Sequence, residues 1–268
     1  MRAVDSKKSP AAIAQLRTAL AHTRPVVLAE QRRLPLLQAF QEVFPGGGLQ
    51  RGSIVHVSGA VGATAVALAL AAGPTQAGSW AACVGVEQMG WAAAAELGVQ
   101  LQRVAVIQTP SKSWATVTAA LVDSFDLVLC GAQHAPSAQD ARRLVARARE
   151  RGSVVMFISG ESLGAARHAR PWPSVADVEL SVVHAEWFGI GQGTGRLRQR
   201  HISLDVTGRR GLSRSQRLEL WLPDISGAVA AAEHIQASTP TELTPAELTP
   251  TELTPTELTP SSPLLDVG

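Results

Sequence analysis

The chain has 268 residues, 46% of them hydrophobic, enough for one core of ordinary size with polar extensions at its ends. Its 24 Lys and Arg against 22 Asp and Glu leave a formal charge of +2, which excludes the global field of a nucleic-acid or membrane binder and makes any basic surface local. No stretch reaches the roughly 18 apolar residues of a membrane span, and residues 1–10 lack an apolar signal core, so a cytoplasmic protein is expected.

Ser9-Pro10 reads as a helix start, with Ile13, Leu16 and Leu20 following at helical spacing. Leu34 to Phe44 predicts a second amphipathic helix that stops at Pro45-Gly46-Gly47-Gly48. Residues 1–44 are thus expected to be a helical segment covering the core. From Ser53 the pattern alternates strand and helix. Strands are predicted at Ser53 to Val57, Trp80 to Val86, Val104 to Gln108, Leu127 to Cys130 and Val154 to Ser159. Helices are predicted at Thr64 to Ala72, Gly90 to Leu97, Trp114 to Val122 and Ser137 to Arg151. Short apolar strands separated by helices imply an α/β fold with a mostly parallel central sheet flanked by helices. After Pro173 three strands follow without helices, at Asp177 to His184, Arg198 to Val206 and Arg217 to Leu222, expected as antiparallel strands extending one edge.

The core is therefore placed at residues 45–226, and residues 227–268 are expected to be a disordered C-terminal tail. There Thr241-Glu242-Leu243-Thr244-Pro245 recurs through Pro260, and a proline in every five residues prevents a helix or a sheet ladder.

Cys83 and Cys130 sit in separate apolar runs, which excludes a disulfide framework and a Cys-x-x-Cys pair, and the seven histidines lack metal-site spacing. No metal is expected. The segment Gly59-Ala60-Val61-Gly62-Ala63-Thr64 follows a strand and opens a helix, the outline of a phosphate-binding loop. A working loop places four residues between its first glycine and Gly-Lys-Ser/Thr. Here only Ala60 and Val61 intervene, and Ala63 stands where lysine neutralises phosphate. Thr64 keeps a hydroxyl for magnesium and Glu87 is placed to act on water, yet the strand that should end in a metal-binding aspartate ends in Cys130, with Asp126 at its other end. Catalysis is not expected, and the only cofactor site in prospect is a vestigial ATP site at Gly59, Gly62, Thr64 and Glu87.

Arg196, Arg198 and Arg200 alternate along a strand, and Arg209, Arg210, Arg214 and Arg217 follow, against the single acid Asp205. This is the strongest local positive field in the sequence. Arg196, Arg198, Arg200, Arg209 and Arg210 are the candidates for contact with DNA phosphates or an acidic partner.

The run Phe44-Pro45-Gly46-Gly47-Gly48-Leu49-Gln50-Arg51-Gly52-Ser53-Ile54-Val55, then Val86-Glu87 and Ala95-Glu96-Leu97-Gly98-Val99, resembles bacterial RecA, and more closely the RecA-like ImuA family of mutagenesis accessory proteins in its shortened actinobacterial form. The resemblance covers roughly Leu34 to Pro223. It implies a RecA-like core and a non-catalytic adapter of a damage-inducible translesion-synthesis assembly. The implied partners are an inactive Y-family polymerase-like protein of the ImuB type and RecA, with an error-prone replicative-type polymerase reached indirectly and the nucleoid as the place of action during damage. The alternative is an ATP- and DNA-binding recombinase relative with residual ATPase activity. Of the RecA lysine, threonine, aspartate and glutamate, only Thr64 and Glu87 remain, and residues 161–176 leave little room for a long DNA-binding loop.

Overall fold

A computed structural model of the chain describes residues 32–86, 89–108, 113–131, 136–160, 176–190, 195–209, 212 and 214–232. The expected Ser9 to Leu20 helix and the repeat tail lie outside them. The described residues all fall within one compact unit.

Strands β3 (Ile54–Ser58), β4 (Ala81–Val84), β5 (Val104–Ile107), β6 (Leu127–Gly131), β7 (Val154–Ser159) and β8 (Val178–Ile190) are mutually parallel, in the spatial order β8-β3-β7-β6-β4-β5. Strands β9 (Gly195–Gly208), β10 (Gln216–Trp221) and β11 (Ala230–Ala231) continue the sheet beyond β8 in antiparallel fashion, giving nine strands. Two sequence expectations change here. The first strand after Pro173 joins the parallel part, because β8 pairs with β3. The sheet also runs past residue 226, because β11 pairs with β10.

Helices cover both faces, as alternation along the strands requires. Val55, Val57, Met156, Ile158 and Leu180 face α2 (Ala63–Gln76) and α3 (Trp91–Glu96). Ile54, Val128, Cys130, Val155 and Phe157 face α4 (Trp114–Ser124) and α5 (Ala138–Arg151). Helix α5 begins where the capping chemistry predicts, since the Asp140 N–H donates to Ser137 Oγ at 3.1 Å. Its outer face is tied to α4 through Arg147, whose Nε donates to Asp123 at 2.6 Å, and through Arg151.

The predicted Leu34 to Phe44 helix is mostly replaced. Arg33–Pro35 form strand β1, antiparallel to β2 (Gly48–Gln50), and only Gln38–Gln41 are helical, as α1. Leu34, Phe40, Phe44 and Leu49 nevertheless all enter the core beside α2. Residues 32–44 therefore contribute side chains to the core. Helix α2 is buried along most of its length because its alanines and Gly73 admit close neighbours. A Cβ at Gly73 would lie 2.6 Å from the Pro35 carbonyl oxygen.

Candidate functional site

The glycine loop lies at the C-terminal end of β3, between the C-terminal ends of the parallel segments of β7 and β8. Open α/β sheets place ligands at this reversal of strand order. Gly59 takes φ +147° and Gly62 takes φ +92° as the residue capping α2, conformations in which a β-carbon is strained. Protein packs against both. A Cβ at Gly59 would stand 2.7 Å from Val182 Cβ, and one at Gly62 would stand 3.2 Å from Ile202 Cδ1. Just past the end of β7, a Cβ at Gly160 would lie 2.7 Å from the Gly59 carbonyl oxygen and 3.5 Å from Ala63 Cβ. Ala63, at the lysine position, is buried in the apolar core, while Thr64 is half-buried. Glu87 lies outside the described residues.

Asp126 sits at the far end of β6. Its carboxylate accepts from Arg51 Nη1 at 2.7 Å and from the Trp80 N–H at 3.0 Å, holding the starts of β3, β4 and β6 together. It is structural and remote from the loop. Cys130, at the aspartate position, is fully buried, and burial pushes its thiol far above the ordinary range; burial likewise raises Cys83 to about 12. Neither is a nucleophile at neutral pH. Among the described residues no cluster of His, Cys, Asp and Glu could hold a metal ion.

A cation does approach the loop from another element. Arg200 on β9 is only 8% exposed, and its Nη1 lies 4.0 Å from where a Cβ of Gly62 would stand. Its Nε donates to the Leu222 carbonyl at 2.9 Å, and its guanidinium stacks on the Trp187 ring. Burial pulls its basicity down.

The arginine series is consequently divided. Arg196 and Arg198 are exposed near the end of the β8–β9 hairpin, Arg200 is locked at its base, and Arg209 lies at the opposite end of β9. Arg217 is paired with Asp205 at 2.9 Å, and Arg210 lies outside the described residues. Periodicity along one strand places side chains on a face but says nothing about which stretch of that face the sheet covers.

Among the described residues, β8 beyond Ser181 pairs only with β9, and β9 before Arg200 pairs only with β8. This projecting arm carries Trp187, Phe188, Ile190 and Leu197, with Ile190 63% and Leu197 51% exposed. Phe188 meets Trp221 edge to face at 5.5 Å, which ties the arm's base to β10. The sequence marks the strands, but the exposure of their apolar side chains follows from the sheet ending beneath them.

The arrangement defines an α/β protein with a lysine-free glycine loop at its switch point and an amphipathic β-arm beside it. The family model described as the MT3502 N-terminal domain matches residues 42–162. The uncharacterized protein Rv3395c of Mycobacterium tuberculosis (strain ATCC 25618 / H37Rv) is 38% identical over 104 residues, which are 38% of this chain and 51% of that protein. The chain thus spans about half the length of the curated relative it matches. The flagellar accessory protein FlaH from Methanocaldococcus jannaschii aligns with a TM-score of 0.48 at 12% identity, over 75% of this chain and 99% of that one.

Proposed function

We propose that the chain is a non-catalytic, RecA-like adapter of a damage-inducible translesion DNA synthesis assembly, acting in the cytoplasm and at the nucleoid. The RecA-like assignment is supported by the position of β3 between β7 and β8, which puts the glycine loop at the reversal of strand order. The observation that carries the non-catalytic reading is the loop itself. It lacks the lysine, Ala63 is buried at that position, and Val182 and Ile202 pack on its two glycines. The missing ammonium removes an attraction of about 4 kcal/mol per phosphate charge at 4 Å in a partly desolvated site. No aspartate stands at the end of β6 to recover it through magnesium.

The arm supplies the adapter's contact surface. A two-stranded ribbon is marginal in water, and exposed apolar side chains flanked by arginine mark a surface made for a partner. The partner in this reading is an inactive Y-family polymerase-like protein, with RecA as a second contact and the error-prone polymerase reached indirectly. Affinity purification of the full chain from damaged cells tests it. A polymerase-like subunit should co-purify, and Trp187→Ser with Phe188→Ser should remove it. Recovery of a complex without a polymerase component, or ATP hydrolysis that scales with the purified protein, overturns the adapter reading.

A second reading, a nucleotide- and DNA-binding recombinase relative, is favoured by Arg200, which brings a guanidinium to the start of α2. It requires micromolar affinity for Mg-ATP in calorimetry, lost on Thr64→Ala.

A further inference from the structure

A cleft of about 330 Å³ opens at the other end of the sheet, where β3 and β8 begin and β9 ends, and it is roofed by the β1–β2 pair. Its size falls at the lower end of the roughly 300–1,000 Å³ of small-molecule sites. Four arginines line it, Arg33, Arg51, Arg149 and Arg209, against one acid, Asp177. Two of these charges are answered within the protein. Arg51 pairs with Asp126 at 2.7 Å and Arg149 with Asp177 at 3.5 Å, whose other oxygen accepts the Ile54 N–H at 3.0 Å. Among the described residues, Arg33 and Arg209 have no carboxylate within ion-pair distance.

Arg33 is held in place nevertheless. Its guanidinium lies so close to Gly46 that a β-carbon there would overlap it, and Gly46 takes φ +68°. The wall also carries Ser53, 6% exposed, whose hydroxyl is enclosed and has no hydrogen-bond partner among the described residues. Phe44, Leu49, Val178 and Leu212 add apolar lining, with Gln50 as a further polar residue. Like charges gathered in a concave, partly desolvated site focus a positive potential, which an oxyanion relieves.

We infer that this cleft binds a small organic anion, with a phosphate or carboxylate group held by Arg33 and Arg209 and an apolar ring against Phe44, Leu49, Val178 and Leu212. The site is independent of the glycine loop, which lies at the opposite ends of the same strands. It therefore goes beyond the adapter reading and survives that reading's failure.

Calorimetry on the full chain at low salt, with adenosine monophosphate, orthophosphate and indole-3-acetate as probes, tests the inference. Adenosine monophosphate or indole-3-acetate should bind with Kd of about 1 mM or below. Competition by orthophosphate identifies a phosphate site, and preference for indole-3-acetate identifies a carboxylate site. Arg33→Gln with Arg209→Gln should weaken binding at least about tenfold and leave the unfolding midpoint in place, because neither residue has an acidic partner among the described residues. Arg196→Gln with Arg198→Gln, on the arm, should change nothing. If the double variant in the cleft loses its fold, Arg209→Gln alone, at an exposed position, carries the same expectation. Absence of binding by all three probes, or a folded cleft variant that keeps its affinity within about twofold, overturns the site.

Discussion

The guanidinium of Arg200 stands 4.8 Å from the centre of the Trp187 ring while its Nε reaches the Leu222 carbonyl, so one nearly buried cation joins the arm to the edge of the sheet. Removing it exposes an unsatisfied carbonyl and unstacks the tryptophan. Arg200→Ala is expected to lower stability by about 2–4 kcal/mol, measured by urea denaturation. Arg196→Ala and Arg198→Ala, near the arm's free end, should stay within about 0.5 kcal/mol of the parent. Equal effects at all three positions would remove the distinction between anchor and free surface.

Gly59 is expected to be intolerant for two separable reasons, its φ of +147° and its approach to Val182. Gly59→Ala should cost about 1–3 kcal/mol. Adding Val182→Gly, which removes the overlapping Cβ itself, should recover part of that loss and leave the backbone strain. Thermal unfolding of the two single variants and the double variant measures the coupling, and strict additivity would show that the loop does not press on β8.

Phe40 is fully buried although it belongs to the four-residue helix α1 ahead of the strand-helix alternation. Phe40→Ala should destabilise the domain by about 3–5 kcal/mol. A loss below about 1 kcal/mol in a denaturant titration would mean that the leading segment is an appendage and not part of the core.

His56 on β3 contacts Ser159 Oγ through Nε2 at 2.8 Å, and burial holds its imidazole below the usual range, with Glu179 opposing the shift. The unfolded chain therefore binds a proton that the folded chain resists. Stability should fall as pH drops below about 6.5, continue falling until the folded-state pKa is passed, and stay level in this respect above pH 6.5. His56→Gln, which keeps a hydrogen-bonding group toward Ser159, should flatten the slope between pH 7.5 and 5.5. An unchanged slope in that variant would assign the acid sensitivity to other groups.

How far the sequence reaches differs between the sheet and the site. Strands β3 to β7 and helices α2 to α5 are legible because their signals are local. Apolar runs bounded by turn residues mark the strands, and Ser137 caps α5 through its own neighbour three residues on. The lysine-free loop is likewise legible, since Ala63 can be read from position alone. Leu34 to Phe44 misleads because its stripe fits a helix, whereas Arg33–Pro35 find a partner strand in Gly48–Gln50 on the far side of the short helix α1. Sheet pairing of that kind overrides local propensity.

By itself the sequence determined the succession of elements, the absence of a lysine from the glycine loop and the residue types available for binding, because each of these depends on neighbours along the chain. The tertiary structure decided which arginines act together. It buried Arg200, sent Arg196 and Arg198 out on the arm, and brought Arg209 to Arg33 across 176 positions in the chain. Charges act through space, and the distances that matter are set by how the sheet folds back on itself.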